Sequence, residues 1–305
     1  MKINKSITRF LFLSLTFALS QNCIAQIADS IKYDNGYLHY HEYGSKTLPA
    51  VIILTGGPGN SYIQLEELAE TISPKFRSIL LEQRGTGKSI PIPMDSTTIN
   101  LKTVTQDIKT LMDSLDLKKS IIIGHSWGGI LAMNFSAEFP KSVEHLILIA
   151  PGTYKDIQNS FQIFSANRRH TLSIDELHRR RQLNEMIKKN EADSLEIVES
   201  KRLMRRPYIF ANPIPDSIFM KINVDNNVNS ARVLMNDVRK NYDVSNSFDN
   251  YKGKIDIITG RQDVLNFLSY ELKIDRPDSN LHWINRCGHF PMYERPSEFY
   301  NILYK

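Results

Sequence analysis

Cysteine is scarce in this sequence, because the 305 residues include only Cys23 and Cys287. Cys23 lies in a segment that we predict to be removed, so the mature chain keeps one cysteine and has no internal disulfide. A protein that is exported without a disulfide depends on the packing of its hydrophobic core for stability.

Metal-binding motifs are also missing, because the sequence contains no CxxC pair, no HExxH motif and no histidine-rich cluster. We therefore predict neither a metal ion nor another cofactor. Repeats and low-complexity tracts are absent as well, which excludes repeat architectures. Apolar residues make up 41% and charged residues 23% of the chain, as is usual for a soluble globular enzyme. The length suits one large domain or a core with an insertion.

No apolar run is long enough to cross a membrane, which requires about 20 residues. The main run covers Phe10–Leu19 and follows a basic start with Lys2, Lys5 and Arg9. This arrangement predicts a signal peptide over residues 1–25, cut after Ala25, and a periplasmic or extracellular protein with no stable membrane span. One alternative is that the segment is kept as an uncleaved anchor. The other is a lipid on Cys23, which is disfavoured because a small residue is expected before a lipidated cysteine and position 22 is asparagine.

The excess of positive charge is small once the leader is removed. The full chain has a formal net charge of +5, and loss of the leader's three basic residues lowers it by three, to +2. So weak an excess predicts no nucleic-acid partner. The sequence does not indicate an oligomeric state.

Short apolar runs alternate with helical patterns along most of the chain. The runs predict strands at residues 50–54, 78–81, 120–123, 145–149, 255–258 and 281–284. Periodic patterns predict helices at residues 64–72, 104–115 and 130–139. Residues 31–43 alternate around Asp34-Asn35-Gly36 and predict a hairpin of two edge strands. This alternation indicates an α/β fold with a mostly parallel sheet flanked by helices.

The alternation stops after the sixth strand and resumes near Gly253. We predict a core formed by residues 26–151 and 253–305, with residues 152–252 inserted as a helical lid above the carboxyl edge of the sheet. The lid is mildly basic, because residues 152–247 contain 16 Lys and Arg against 12 Asp and Glu. We interpret its clusters Arg179-Arg180-Arg181 and Arg205-Arg206 as solvated helix faces, with anion binding as the alternative.

The most informative motif is Gly124-His125-Ser126-Trp127-Gly128, which has the pattern G-x-S-x-G between a predicted strand and a predicted helix. In this context the chain leaves the strand through a tight turn, and the serine hydroxyl projects from the edge of the sheet. The two glycines allow the strand and the helix to approach each other closely. Ser126 is therefore the candidate nucleophile.

A serine hydroxyl needs a base to remove its proton, and the base needs a carboxylate to orient it. His289 follows the last predicted strand, and Asp263 follows the strand before it, which gives the chain order serine, acid, histidine. Asp249 and Asp256 are placed too early to reach the same edge, and capping of a turn is the alternative role for Asp263. Among the other histidines, His125 and His282 neighbour strand positions and are expected to be packed core or edge residues.

The negative charge that develops on an attacked carbonyl oxygen requires N–H donors that are held in place. We expect one donor to be the backbone N–H of Trp127, at the start of the helix after the serine. The second is expected in the loop Thr55-Gly56-Gly57-Pro58-Gly59, where Gly57 is the candidate because Pro58 has no N–H. The loop lacks the Gly-Lys-Ser/Thr ending of a phosphate-binding loop.

Together these motifs resemble the α/β-hydrolase fold and, more narrowly, the proline iminopeptidase (prolyl aminopeptidase) family of serine peptidases. The narrower resemblance depends on Gly56-Gly57-Pro58-Gly59, Glu82-Gln83-Arg84-Gly85-Thr86-Gly87-Lys88-Ser89 and Gly124-His125-Ser126-Trp127-Gly128-Gly129. It covers about residues 33–151 and 253–305, and no motif of the lid. The resemblance implies a catalytic triad of Ser126, Asp263 and His289, an oxyanion hole of Gly57 and Trp127, and a structural role for Arg84.

The chain departs from the pattern of this family at Thr55 and Glu82, where histidine and aspartate are usual. Aminopeptidases of this type bind the free α-amine of the substrate with glutamates of the lid. The lid offers four candidates, but each lies in a helical run where a solvent-exposed role is expected: Glu185, Glu191, Glu196 and Glu199.

Our leading hypothesis is a secreted serine hydrolase that releases an N-terminal residue, preferably proline, from short peptides through an acyl-enzyme. The alternative is a carboxylesterase or another small-molecule acyl hydrolase with the same triad, so the predicted substrate is a small peptide or an ester. Epoxide and haloalkane hydrolases of this fold use a carboxylate nucleophile, which Ser126 argues against. A binding protein without activity would be expected to lack a member of the triad.

Overall fold

The computed structural model describes residues 26–305. The strands are β1 (Ile27–Tyr33), β2 (Gly36–Tyr43), β3 (Ala50–Leu54), β4 (Arg77–Leu81), β5 (Ser120–His125), β6 (Val143–Ile149), β7 (Lys254–Gly260) and β8 (Asn280–Ile284). The helices are α1 (Glu66–Ile72), α2 (Leu101–Ser114), α3 (Trp127–Glu138), α4 (Ile157–His170), α5 (Ile174–Lys188), α6 (Ser194–Arg205), α7 (Asp216–Ile222), α8 (Val228–Asn241), α9 (Asn266–Asp275), α10 (Pro291–Glu294) and α11 (Pro296–Leu303). The predicted signal peptide, residues 1–25, lies outside the described residues.

The strands form one sheet in the order β1-β2-β4-β3-β5-β6-β7-β8. β2 pairs antiparallel with β1 and with β4, and all the other neighbours in this sheet are parallel. The prediction of a mostly parallel sheet flanked by helices is confirmed. The prediction of two edge strands is wrong for β2, which lies between β1 and β4 through pairs such as Tyr40 with Leu81.

The central strands are buried on both faces, because successive side chains of a strand point to opposite sides of a sheet. In β3, Ile52 and Leu54 belong to the core on one face, whereas Val51 and Ile53 belong to the core on the other. Helices α2, α3 and α8 cover the first face, and α1, α7, α10 and α11 cover the second. The continuous apolar runs of the sequence reflect this burial on both sides.

Helices α4 to α8 form the insertion between β6 and β7, and they lie where the chain order predicts a lid. The insertion is anchored to the sheet, because Leu234 and Val238 of α8 are buried in the core of the first face. Within residues 26–305, none of the helices combines the length and the apolar character that crossing a membrane requires.

Cys287 lies in the loop between β8 and α10 as a fully buried free thiol. Burial raises the pKa of this thiol well above its usual range, and the negative charge of Glu294 adds to the increase. The thiolate is the reactive form of cysteine, so Cys287 is expected to be chemically inert in the folded protein.

Candidate active site

Ser126 occupies the tight turn that joins β5 to α3. Its backbone has φ 54° and ψ −113°, a conformation that costs on the order of 1–3 kcal/mol for a residue with a side chain. The Ser126 N–H donates to the Ile149 carbonyl oxygen (3.0 Å), and the Gly152 N–H donates to the Ser126 carbonyl oxygen (3.0 Å). The end of β6 and the residues after it therefore hold the turn in the geometry typical of the G-x-S-x-G motif.

Gly124 and Gly128 allow α3 to lie directly against the sheet. A Cβ atom at Gly124 would overlap the carbonyl oxygen of Gly128, and a Cβ atom at Gly128 would overlap the carbonyl oxygen of Leu54. Any larger residue at either position would push α3 away from β3 and β5. The close approach of α3 to the sheet therefore requires the two glycines of the motif, as predicted.

Asp263 and His289 meet at the same edge of the sheet, in the loops after β7 and β8. Asp263 Oδ2 lies 2.8 Å from His289 Nδ1, and both side chains are almost completely buried. Because a carboxylate accepts, Nδ1 carries the proton of the neutral ring and Nε2 is left as the free base. Asp263 Oδ1 also accepts from the Leu265 N–H (3.0 Å), and the His289 N–H donates to the Tyr208 carbonyl oxygen (2.7 Å). Both members of the pair are therefore fixed in orientation.

Ser126 and His289 line the same cavity. The imidazole of His289 donates a hydrogen bond to Asp263. In the described part of the chain, no hydrogen bond joins this imidazole to the Ser126 hydroxyl. Hydrogen bonds between catalytic groups are often long before the substrate binds. The structure thus brings the three predicted residues to one edge of the sheet, and their catalytic roles stay a prediction.

Gly57 and Trp127 lie on a cavity wall that also includes Ser126. Gly57 has φ 59°, which strains any residue with a side chain, and a Cβ atom there would lie 2.5 Å from Asn60 Nδ2. Trp127 is the first residue of α3, where backbone N–H groups have no partner within the helix. Their positions suit the predicted oxyanion hole, whose role stays a prediction.

Gln83 connects the two segments that carry these proposed donors. Its Nε2 donates to the carbonyl oxygen and to the hydroxyl of Thr55 (2.9 Å each), and its Oε1 accepts from the indole N–H of Trp127 (2.8 Å). In the sequence, Gln83 is only one letter of the motif Glu82-Gln83-Arg84-Gly85. Its partner could not be read from the sequence, because Gln83 and Trp127 are 44 residues apart.

The residues on either side of Gln83 make buried contacts that hold the loop after β4. Arg84 donates twice to Asp107 of α2, at 2.8 and 2.5 Å, as a structural role requires. Glu82 accepts a hydrogen bond from His41 Nε2 (2.7 Å) and another from a backbone N–H of its own loop. Burial raises the pKa of Glu82, but these hydrogen bonds outweigh it and hold the pKa below its ordinary value. The glutamate that replaces the usual aspartate is therefore a charged, fully bonded part of the loop.

His125 lies beside the Asp263–His289 pair as a buried support. Its Nε2 donates to the His289 carbonyl oxygen (3.0 Å), and the two imidazole rings are 4.8 Å apart. Its Nδ1 is buried without a hydrogen-bond partner among the described residues. Burial, with a smaller effect of the charge of His289, lowers the pKa of His125 to about 3. His125 is therefore neutral near pH 7, in agreement with the packing role expected for it.

We expect His125 to make the fold sensitive to acid. The pKa of an unfolded histidine is about 6.5, and the pKa of the folded residue is about 3, so the unfolded state binds the proton first as pH falls. Above pH 6.5 the neutral imidazole of His125 costs the folded state nothing relative to the unfolded state. Below pH 6.5 the free energy of unfolding falls by about 1.4 kcal/mol per pH unit, because only the unfolded state gains the proton. Urea unfolding of the wild type and of His125→Gln between pH 7.5 and pH 4 measures this contribution.

The glutamine variant keeps an amide N–H that can donate to the His289 carbonyl oxygen but does not titrate. We expect its unfolding free energy to fall less steeply below pH 6 than that of the wild type. His178→Gln is the control, because it removes a histidine from a position of α5 outside the core and should leave the slope unchanged. Parallel curves for His125→Gln and the wild type would contradict the assignment.

Two cavities meet at Ser126. The larger one, here called the apolar cavity, has a volume of about 640 Å³ including the solvent at its open mouth, and it is lined mainly by apolar side chains, among them Ile130, Phe161, Phe164, Met235 and Leu268. The smaller one, here called the polar cavity, has a volume of about 330 Å³ including the solvent at its open mouth, and its lining includes the polar side chains of Asn60, Gln64, Arg205 and His289. Gly57, Ser126 and Tyr208 belong to both walls. A substrate held at Ser126 would therefore meet apolar groups on one side and polar groups on the other.

The glutamates considered for binding an α-amine lie away from both cavities. Three of them form ion pairs within the insertion: Glu196 and Glu199 with Arg179, and Glu185 with Lys188. Glu191 is exposed. No acidic residue is among those that line the two cavities in the described part of the chain. Glu185 and Glu191 are thus exposed, as expected, whereas Glu196 and Glu199 are partly buried beside Arg179. Glu191 lies in the loop between α5 and α6, so the prediction that it belongs to a helical run is wrong.

Arg205 was interpreted from the sequence as part of a solvated helix face. That interpretation is wrong for this residue. It is the last residue of α6, is partly buried, and lines the polar cavity together with Ser126 and His289. Arg179, in contrast, pairs with Glu199 near the surface of the insertion. Both arginines lie in short basic runs of the sequence, and only the attachment of the end of α6 to the His289 loop distinguishes them.

Known proteins resemble this chain in sequence and in fold. The family described as alpha/beta hydrolase fold matches residues 49–296. A 2-hydroxy-6-oxo-6-phenylhexa-2,4-dienoate hydrolase of Comamonas testosteroni is 27% identical over 281 residues, 86% of this chain and 88% of the relative. Epoxide hydrolase 4 of Mus musculus is 32% identical over 133 residues, 43% of this chain and 35% of the relative. The crystal structure of a proline iminopeptidase-related protein from Thermus thermophilus has a TM-score of 0.66 at 18% identity, over 92% of this chain and 96% of the other.

Proposed function

Because this chain belongs to the α/β-hydrolase family, we propose that it is a serine hydrolase of small acyl substrates that prefers esters to peptides. The observation that carries the proposal is the convergence of Ser126, His289 and Asp263 beside two cavities whose described walls contain no acidic residue. We also propose that the protein is exported, on the basis of its basic and apolar leader.

The first half of the proposed reaction forms an acyl-enzyme. Ser126 Oγ attacks the carbonyl carbon of the ester while His289 Nε2 accepts the hydroxyl proton, and Asp263 stabilises the resulting imidazolium. The carbonyl oxygen becomes an oxyanion, for which the N–H groups of Gly57 and Trp127 are the proposed donors. A donor of this kind contributes about 10²- to 10³-fold in rate. The imidazolium then gives its proton to the leaving oxygen as the bond to the acyl carbon breaks.

The second half of the reaction repeats these steps with water. His289 removes a proton from a water molecule, whose oxygen attacks the acyl carbon, and the oxyanion forms in the same place. Collapse of this intermediate breaks the bond to Ser126 Oγ, which recovers the proton from the imidazolium and releases the acid. The buried Asp263–His289 pair serves both halves without moving.

The preference for esters follows from the charge of the cavity walls. An aminopeptidase substrate carries an α-ammonium, and such a group costs several kcal/mol in a closed site unless a carboxylate pairs with it. Arg205 lines the polar cavity together with Ser126, and its positive charge would repel an ammonium. The name of the Comamonas testosteroni relative denotes a small keto acid with a phenyl group and a carboxylate and without an ammonium, which supports a small substrate that lacks an α-amine but does not bear on the preference for esters. Epoxide hydrolysis is disfavoured because position 126 is a serine.

Two esters that differ only in an α-ammonium test this proposal. We expect the mature chain to hydrolyse p-nitrophenyl propionate with a kcat/KM about 100-fold above that for alanine p-nitrophenyl ester, because the ammonium finds no counter-charge. Proline p-nitroanilide should be cleaved more slowly than either ester. The measurement is p-nitrophenolate or p-nitroaniline release, with each rate divided by the rate of hydroxide hydrolysis.

The same panel separates the competing hypotheses. Preference for the alanine ester together with efficient cleavage of proline p-nitroanilide would support the aminopeptidase. If none of the three substrates is hydrolysed, the proposal of a serine hydrolase for small acyl compounds is wrong.

A further inference from the structure

Arg205 is held in a fixed position relative to His289. It ends α6, and a short 3-10 turn, Arg206–Tyr208, follows it directly. The Tyr208 carbonyl oxygen accepts the backbone N–H of His289 (2.7 Å), and Gly288 packs against the same carbonyl group. The end of α6 is therefore fastened to the loop that carries the imidazole, and Arg205 is one of the residues that line the polar cavity.

The charge of Arg205 is not compensated by the described part of the protein. Arg179 pairs with Glu199 and Arg202 with Asp216, but Arg205 forms no ion pair within residues 26–305. Arg168 of α4 forms none there either, although its guanidinium lies 5.5 Å from the Tyr208 ring. The Nε of Arg168 is buried without a hydrogen-bond partner among these residues. Arg168 therefore contacts the Tyr208 ring, Arg205 lines the same cavity as Tyr208, and neither arginine has an ion-pair partner within residues 26–305.

Arg205 carries a positive charge that is partly buried and has no negatively charged partner in the described chain. Burial lowers the pKa of Arg205, and the charge of Arg168 lowers it further. An arginine nevertheless stays charged at physiological pH, so the cost of its burial is not relieved by loss of a proton. Gln64, on the same cavity wall, has a buried side-chain oxygen that lacks a partner in the described chain. This oxygen is an acceptor and calls for a donor, whereas the uncompensated charge of Arg205 calls for an anion.

A carboxylate is the anion that best fits a guanidinium, because the two planar groups form parallel hydrogen bonds. The polar cavity is the place of the leaving group, because His289 lines it and does not line the apolar cavity. In the proposed reaction the imidazolium protonates the leaving oxygen, so that part of the substrate departs beside His289. The apolar cavity is left for the acyl chain.

We propose that the preferred substrates are esters of an apolar acid with an alcohol or phenol that carries a carboxylate, and that Arg205 binds this carboxylate. Arg168 supports the site through its charge. This inference rests on the proposed function and specifies the substrate class of the same site.

Three butyrate and glutarate esters test the inference in the mature protein. Phenyl butyrate is neutral, 3-carboxyphenyl butyrate carries a carboxylate on the leaving group, and monophenyl glutarate carries one on the acyl side. We expect kcat/KM, divided by the hydroxide rate, to be about 10- to 100-fold higher for 3-carboxyphenyl butyrate than for phenyl butyrate. Monophenyl glutarate should gain no such advantage. Release of acid in a pH-stat measures all three rates.

Variants assign the preference to one side chain. Arg205→Gln should abolish the advantage of 3-carboxyphenyl butyrate, and Arg205→Lys should keep part of it because the charge remains. Arg181→Gln removes the same charge from a position of α5 that lines neither cavity and should keep the full advantage, which controls for long-range attraction. An advantage that survives in Arg205→Gln, or that appears only for monophenyl glutarate, overturns the inference.

A binding measurement separates this inference from the proposed function. Ser126→Ala should bind 3-hydroxybenzoate about 10- to 100-fold more tightly than phenol in a calorimetric titration, and adding Arg205→Gln should remove the difference. If no ester is hydrolysed, the proposed function fails while this titration still decides the role of Arg205. If esters are hydrolysed but 3-hydroxybenzoate binds no better than phenol, only the inference about Arg205 fails.

Discussion

Replacing Ser126 with alanine is expected to lower kcat/KM by about 10⁶-fold for every ester that the wild type hydrolyses. The substitution removes the attacking oxygen and leaves the Asp263–His289 pair, whose geometry is set by its own hydrogen bonds, in place. The turn should also persist, because it is held by the backbone N–H and carbonyl oxygen of residue 126. We therefore expect the melting temperature to remain nearly unchanged.

The assay is initial-rate hydrolysis of p-nitrophenyl butyrate, with thermal unfolding followed by circular dichroism. Ser136→Ala is the matched control, because Ser136 is a buried serine of α3, the helix that follows Ser126, and its hydroxyl donates to the Ala132 carbonyl oxygen. This control should retain its activity. A fluorophosphonate should label the wild type at Ser126 alone. Substantial activity or labelling in Ser126→Ala would show that another nucleophile does the chemistry.

The parallel strands were predictable from the sequence because burial on both faces demands continuous apolar residues. Residues 50–54 were predicted as a strand and form β3 without a change of boundary. The prediction for β5 ended at Ile123, but the strand continues to His125 because Gly124 and His125 pair with Leu148 and Ile149 of β6. A glycine has a weak strand preference of its own, so this extension is fixed by the neighbouring strand.

The helices of the insertion were predicted only as a class, although their starts have local signals. Ser173 and Glu176 form a capping box at the start of α5, and Asp193 and Glu196 form one at the start of α6. Such a pair, spaced by three residues, is visible in a sequence. The position of Arg205 on the wall of the polar cavity is not visible there, because it depends on how the end of α6 packs against the His289 loop.

In the candidate site, too, the functional residues could be predicted from the sequence but the contacts that support them could not. Residue types and chain order were sufficient to name Ser126, Asp263 and His289, since each follows a strand that ends at the same edge of a parallel sheet. The supports were not predictable, because they join distant parts of the chain. His125 donates to the His289 carbonyl oxygen across 164 residues, and neither motif indicates that contact. Interactions of this kind follow from loop coordinates and not from residue patterns.

Replacing Asp263 with asparagine is expected to lower kcat by about 10⁴-fold while KM changes little. The asparagine oxygen can still accept from the Leu265 N–H, but its NH₂ group then faces His289 Nδ1. The ring must present a lone pair to that group, so its proton moves to Nε2 and the base that should accept the proton of Ser126 is lost. The imidazolium of the reaction also loses its counter-charge. Steady-state kinetics with p-nitrophenyl butyrate measure both parameters.

Asp256→Asn is the matched control, because Asp256 lies in the strand β7 that precedes Asp263 but pairs with His145 and His282 instead. Burial raises the pKa of Asp256, yet the hydrogen bonds from these partners outweigh it and hold the pKa far below its usual range. This control should therefore lose unfolding free energy and keep its kcat. Equal losses of kcat in both variants would mean that damage to β7, and not the tautomer of His289, explains the effect. A loss smaller than about 10-fold in Asp263→Asn would exclude Asp263 as the residue that orients the imidazole.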